Sequence, residues 1–243
     1  MFVPYTPIPY LCVPTTQMQS IKVSVDAVVF GYDPEEGVSV LLISRKYEPF
    51  KKFWALPGGL VQDAESLEQA VRRELKEEAG IDVSYLEQLY SFGKPDRDPR
   101  NRVVSVAYYG LVRPKDHHIS ASTDAEDVAW FNIDKLPKLA FDHKQIMEAA
   151  IKRLRGKLAY EPVGFELLDK KFPFSDLEKL YQVLLNDQLD RRNFKKKIMA
   201  YGFLDELKES VQRGVGRPAR LYQFNRKKYF ELKEHGYNFD LFL

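Results

Sequence analysis

Apolar and polar residues change rhythm several times along this chain, and each change predicts an element. Ile21–Phe30 and Val38–Ser44 are rich in Val and Ile and read as strands, joined by a turn at Asp33-Pro34-Glu35-Glu36-Gly37. Trp54–Leu56 leads into a Pro57-Gly58-Gly59 loop. From Asp63 or Ala64 a helical stretch runs to Gly80, which can close it because glycine tolerates the left-handed conformation. Arg102–Val112 alternates Val, Tyr and Ala as a strand does, and Val128–Phe131 is a shorter strand. Phe141–Arg155 returns to helical spacing, with Ile146, Ala149, Ala150 and Leu154 on one face. Leu158–Lys171 carries Pro162 and Gly164 and reads as a connector.

Beyond the connector the pattern is helix, helix, hairpin. Phe174-Ser175-Asp176-Leu177-Glu178 has the form of a capping box with Phe174 as staple, followed by an apolar face of Leu177, Leu180, Tyr181, Leu184 and Leu185. Asp190 caps a second helix. Its inward positions are Phe194, Ile198 and Met199, and its outward ones are Arg191, Arg192, Asn193, Lys195, Lys196 and Lys197. A hairpin then runs from Phe203 to Leu221-Tyr222-Gln223-Phe224, with a tip at Arg213-Gly214-Val215-Gly216-Arg217-Pro218. That order is the arrangement of a winged helix-turn-helix.

The first predicted helix carries an anomaly. Leu67, Ala70, Val71, Glu74, Glu77 and Glu78 lie on one stripe, apolar at its start and acidic at its end. A core-facing seam should not finish in three carboxylates, because desolvating each costs several kcal/mol. A bound dication resolves the conflict, and a hard, oxygen-ligated Mg²⁺ or Mn²⁺ suits such a site. The bland alternative is a solvated acidic face paired with Arg72, Arg73 and Lys76.

Charge adds a second site. The 243 residues carry a formal net charge of +2, but Asp187–Lys228 holds 12 Lys and Arg against 5 Asp and Glu, and a polyanion would bind there. Asn193 can read a base edge, and Arg191, Arg192, Lys195, Lys196, Arg217 and Arg220 supply cations for phosphates. A basic appendage for dimerisation or solubility is the alternative. The length permits two domains, and Cys12, the lone cysteine, excludes an intrachain disulfide. No run reaches membrane-spanning length. Residues 1–19 are proline-bearing, a poor signal peptide, and read as a flexible leader, so the expected compartment is the cytoplasm.

The stretch from Gly59 to Ile81 resembles the Nudix box at every position: Gly59, Glu65, Arg73-Glu74-Leu75, Glu77-Glu78, Gly80-Ile81. The resemblance implies a Nudix α/β/α sandwich, an α/β fold, over residues 20–158, with a smaller winged helix domain over 159–243. It implies Glu74 and Glu78 as metal ligands and Glu77 as a further ligand or base. Arg73 would orient a glutamate, and the Gly59 carbonyl would be an additional ligand. The chemistry would be attack of metal-activated water on a diphosphate. The base could be a box glutamate or a carboxylate among Asp124, Glu126 and Asp127. With the winged helix, the chain resembles the Nudix-related transcriptional regulators of the NrtR-like type, whose members bind ADP-ribose-like nucleotides and duplex DNA, and a homodimer is expected.

The segment Phe92–Arg100, followed by Arg102-Val103-Val104-Ser105-Val106, is similar to the loop and strand of ADP-ribose pyrophosphatases. Arg97, Arg100 and Arg102 could bind phosphates and Phe92 could stack on a base, with Arg45 as a weaker phosphate candidate. Asp-Arg pairing in a surface loop is the alternative. His143, at a helix start, suits an N-terminal cap as well as a ligand contact, whereas His117, His118 and His235 read as surface residues. Two other functions stay open: a metabolic pyrophosphohydrolase whose C-terminal domain only dimerises, and a non-catalytic regulator that senses a sugar.

Overall fold

A computed structural model describes residues 20–121, 125–186, 188–212, 216–236 and 239–240. Its larger half is a seven-stranded mixed sheet between two helices. Strand β1 (Lys22–Asp33) is central. It pairs in parallel with β6 (Val103–Val112) over ten positions, from Lys22 opposite Val103 to Gly31 opposite Val112. Its other edge is shared by β2 (Gly37–Arg45) at residues 30–33 and by β4 (Gly58–Leu60) at residues 24–26. Strands β3 (Trp54–Ala55) and β7 (Ala125–Asn132) pair with β2, and β5 (Tyr85–Phe92) closes the far edge on β6.

Alternation along β1 divides the interior in two. Val25, Ala27 and Val29 face helix α1 (Leu67–Ala79), burying Ala70, Val71, Leu75 and Ala79. Val28 and Phe30 face helix α2 (His143–Tyr160), through Ile146, Ala150, Leu154 and Leu158. The α/β/α sandwich expected from the sequence is therefore present. Helix α1 begins later than predicted: Ser66 caps it, accepting from Gln69 N–H at 3.2 Å while Gln69 returns a bond to Ser66 N–H at 2.8 Å. Gly80 ends it at φ 72°, as expected.

The second core does not stop at α2. Val163, Phe165, Leu167 and Leu168, in the predicted connector, are buried and continue it into the C-terminal half. That half contains β8 (Phe172–Pro173), α3 (Phe174–Leu185), α4 (Arg191–Ala200), β9 (Leu204–Val211), β10 (Ala219–Phe224) and α5 (Arg226–Glu234). Its three strands run in the order β8-β10-β9. Leu177, Leu180, Tyr181, Leu184, Phe194 and Ile198 join the same core. The segment from 158 to 171 is thus a packed joint, because its apolar positions fill the space between α2 and α3. Arg155 Nε donates to Leu184 O at 2.7 Å across that joint.

The capping box predicted at Ser175 does not form. Pro173 is the N-cap of α3 and offers no side-chain bond, and Glu178 is buried and pairs with Arg191 instead. The other local reading holds: Asp190 accepts from the N–H groups of Arg192 and Asn193 and starts α4. Strand β5 and helix α5 have weak periodicity and were not foreseen.

Candidate functional site

The box helix approaches the sheet where β4 crosses β1, and glycine makes the approach possible. A Cβ on Gly59 would lie 2.3 Å from Oε1 of Glu74, and one on Gly58 would lie 2.2 Å from the carbonyl oxygen of Val25. Gly58 N–H donates to Oε2 of the buried Glu78 at 2.8 Å. Glu74 and Glu78 therefore both address the Gly58–Gly59 backbone. Arg73 organises the remaining carboxylates. It donates to Glu65 at 2.7 and 2.9 Å, to Glu74 at 2.7 Å and to Glu77 at 3.0 Å. Its hydrogen bonds lower the Glu65 carboxyl to about 2. Burial dominates at Glu74 and raises it despite Arg73, so a positive charge beside it would relieve a real cost.

Among the described residues no three acidic or histidine side chains are gathered into a ready-made cage for a metal. The donor set nonetheless fits a hard dication. Glu74, Glu78 and the Gly59 carbonyl offer only oxygen, and Glu77, half exposed on the outer side of the helix, lies one ion pair away through Arg73. Of the three carboxylates considered as a base, Asp124 lies outside the described residues. Glu126 and Asp127 are exposed on strand β7, where Val128 N–H donates to Asp127 at 2.8 Å.

Behind the glycine loop, on the α2 side of the sheet, lies a small cavity of about 80 Å³. Ser24, Asp26, Arg45, Arg97, Arg100 and His143 are among its walls. Arg45 and Arg100 stand over the ring of Phe141 at 4.8 and 5.8 Å. Two predicted phosphate binders are thus brought together, although Arg100 also grips Asp98 at 2.8 Å. Phe92, on β5 against the core, and Arg102, which donates to Val103 O, do not line this cavity.

Arg97 proves different from expectation. Its side chain is 5% exposed and donates to both oxygens of Asp142 at 2.7 and 3.0 Å and to Asp26 at 3.1 Å. A guanidinium saturated by two carboxylates is a strut and not an open phosphate contact, because moving it would strand two buried charges. His143 belongs to the same network. Its Nδ1 accepts from Leu56 N–H at 2.8 Å, its Nε2 lies 3.5 Å from Asp26, and burial lowers its pKa. It is neither the helix cap nor a surface group. Ser105 completes the set by donating to Asp26. Ser24, Asp26, Asp142 and Ser105 were missed in the sequence, where isolated residues far apart give no periodic signal.

In the C-terminal half, α4 turns Arg191, Arg192, Asn193, Lys195 and Lys196 outward, as predicted, while Lys197 is half-buried. Several are engaged within the domain. Arg191 pairs with Glu178 at 2.9 Å, and Lys195 lies 5.3 and 5.5 Å from the rings of Phe174 and Tyr222. The Asn193 amide donates to Asp190 at 3.0 Å, so reading a base would cost part of the cap. Arg220 pairs with Glu206 across the hairpin. Arg217 is exposed, and the tip residues Arg213 to Val215 lie outside the described residues.

A mixed sandwich with an acidic helix against a glycine loop, fused to a winged helix, defines a Nudix-type domain that carries a DNA-binding module. The NUDIX domain model matches residues 21–153, and the model of the NrtR DNA-binding winged helix domain matches residues 164–224. The chain is 33% identical over 220 residues to the ADPR responsive transcriptional repressor NtrR of Acinetobacter baylyi, covering 89% of this chain and 84% of that protein. It is 40% identical over 126 residues to an ADP-ribose pyrophosphatase of Methanocaldococcus jannaschii, covering 52% of this chain and 70% of that one. Shewanella oneidensis NrtR, solved with a 27mer DNA, superposes with a TM-score of 0.72 at 32% identity, covering 85% of this chain and 94% of that one. The chain belongs to the Nudix family, in its NrtR-like branch with a C-terminal winged helix domain.

Proposed function

We infer that this protein is a transcriptional repressor that binds duplex DNA through its winged helix and releases it in response to ADP-ribose or a closely related nucleotide. The observation that carries the reading is the two-domain likeness to an ADP-ribose-responsive repressor, together with a small arginine-lined cavity beside an intact box. Helix α4 would supply the major-groove element, with the exposed Arg192 and Lys196 among its cations and Arg217 at the wing. Two copies acting on two half-sites would give the usual symmetric recognition. A repressor of this type would act in the cytoplasm, and no helix among the described residues is long and apolar enough to cross a membrane.

The Nudix half also supports hydrolysis of the nucleotide's diphosphate. Glu74, Glu78, Glu77 and the Gly59 carbonyl would hold Mg²⁺ or Mn²⁺, which supplies a nucleophilic water and charge neutralisation when bound. Arg73 holds Glu65 and Glu74 in place, and the Asp26–Arg97–Asp142 network fixes the floor of the pocket. Helix α2 links the two functions. His143 at its start touches the pocket network, and about 27 Å along, its far end packs on α3. A ligand that shifted the pocket floor would have α2 as a continuous packed path to the joint with the winged helix.

The test is fluorescence anisotropy with the DNA upstream of the chain's own gene. Specific binding that weakens as ADP-ribose is added is expected, together with AMP release that requires Mg²⁺ or Mn²⁺ and falls ~100-fold in Glu78→Gln. Hydrolysis without sequence-specific DNA binding would favour a metabolic pyrophosphohydrolase.

A further inference from the structure

The glycine loop passes from one strand to the next through a stretch where the sheet supplies no partner. Pairing of β3 with β2 ends at Ala55, and pairing of β4 with β1 begins at Gly58. Between them lie Leu56, buried with its own N–H to place, and Pro57, which has none. The Pro57 carbonyl accepts from Ala27 N–H at 2.8 Å, and Gly58 N–H goes to Glu78. Leu56 N–H goes to the ring of His143, 87 residues further along, at 2.8 Å. An accepting Nδ1 carries no proton, so the proton of the neutral ring sits on Nε2, which faces Asp26 at 3.5 Å. The surroundings explain why this residue is a histidine. Asp26 and Asp142 already share one buried guanidinium, Arg97, and a third carboxylate at Leu56 N–H would add an unpaired buried charge. A neutral imidazole accepts from the loop without adding charge.

We propose that His143 is a positioning residue for the divalent-cation site: by holding the Leu56 amide it fixes the Pro57-Gly58-Gly59 loop, and with it the Gly59 carbonyl, beside Glu74 and Glu78. The proposal rests on the metal reading above and deepens it. The loop is gripped by both helices of the sandwich, through Glu78 of α1 at Gly58 and through the first residue of α2 at Leu56. Clearance between loop and box helix is small, since a Cβ on Gly59 would lie 2.3 Å from Glu74, so a loop released at Leu56 changes the spacing of the oxygen donors. A side chain that orients a metal's ligands without touching the ion is worth about 10–100-fold in metal affinity.

The test uses the full-length protein without nucleotide and reads two quantities: Mn²⁺ affinity, from the free ion's EPR signal, and hydrogen exchange of peptides spanning residues 54–61. His143→Leu keeps the bulk and removes the acceptor. Mn²⁺ should bind about 10-fold or more weakly, and exchange at Leu56 should quicken by about 10-fold. His143→Asn puts an amide oxygen where Nδ1 lies and should hold both within about 3-fold of wild type. His143→Gln carries its amide one bond further out and misses Leu56, so it should behave as His143→Leu and replaces it if that variant does not fold. Ala150→Gly, about two turns along α2, is the control for lost stability and should melt lower with both quantities unmoved. A histidine with only a structural role would make His143→Leu behave like that control, and unchanged Mn²⁺ affinity overturns the proposal. His143→Asn as weak as His143→Leu overturns it too, because the restored acceptor would then count for nothing. A wild-type protein that binds no Mn²⁺ overturns the metal reading instead. The tether to the loop is then decided by exchange alone, and an unaltered rate at Leu56 in His143→Leu overturns it.

Discussion

Arg97 offers the sharpest test of how the pocket is built. Replacing it with Met removes a buried cation and keeps most of its volume. It leaves Asp26 and Asp142, each 9% exposed at the side chain, without their common partner. Breaking a buried ion pair by removing one member costs about 3–5 kcal/mol, because an uncompensated charge stays behind. For a chain of this size each kcal/mol shifts the melting temperature by roughly 2–4 °C, so Arg97→Met should melt about 6–20 °C lower in the absence of any ligand. Differential scanning calorimetry of the ligand-free protein measures this directly. The triple variant Arg97→Met/Asp26→Asn/Asp142→Asn should recover most of the loss, since replacing a whole buried charge set by neutral groups is often nearly neutral. A phosphate-binding arginine would behave otherwise, with small effect on the free protein and a large loss of nucleotide affinity. A ligand-free Arg97→Met variant that melts within 2 °C of the wild type, about 0.5–1 kcal/mol, would refute the strut.

Three further outcomes follow from other parts of the structure. Gly59→Ala places a methyl 2.3 Å from Glu74 Oε1; the carboxylate must move, and Mg²⁺-dependent AMP release should drop at least 10-fold while DNA binding persists, as nuclease footprinting would show. His143 titrates below its ordinary 6.5 because it is buried, so acid protonates the unfolded chain first and stability present above pH 6.5 is lost as pH falls. Between pH 7.5 and 5.5 the melting temperature should therefore fall further in wild type than in His143→Asn, as paired thermal scans would show. In Arg192→Ala/Lys196→Ala the slope of log affinity for operator DNA against log salt should shrink by about 1.8, two phosphates at about 0.9 each. An unchanged slope would mean α4 does not face the DNA.

The local features were legible early because they depend on spacing along one element. The acidic end of α1 and the basic face of α4 follow from 3.6-residue periodicity, and the Asp190 cap follows from a short acceptor side chain beside the first free N–H groups of a helix. Local patterns also misled where tertiary contacts outbid them. Ser175 and Glu178 have capping-box spacing, yet α3 starts at Phe174 with Pro173 as its N-cap, so Ser175 lies inside the helix and Glu178 meets Arg191 from α4. The Pro162–Gly164 stretch has linker residues, yet Val163, Phe165, Leu167 and Leu168 give it a core to join. Arg97 lies in a loop rich in Asp and Arg, and nothing nearby in the sequence reveals that its partners are 71 and 45 residues away.

The amino-acid sequence by itself determined that this protein would carry a row of carboxylates on one helix face and a row of cations on another, since a helix fixes its own face. Tertiary structure alone decided which of those charges stay open to a ligand. It closed Arg97 with Asp26 and Asp142, tied Asn193 to its cap, placed Ser24 without a partner, and joined the two domains through one core. The physical reason is that burial sets the value of a charge or hydroxyl, and burial belongs to surfaces brought together from distant parts of the chain.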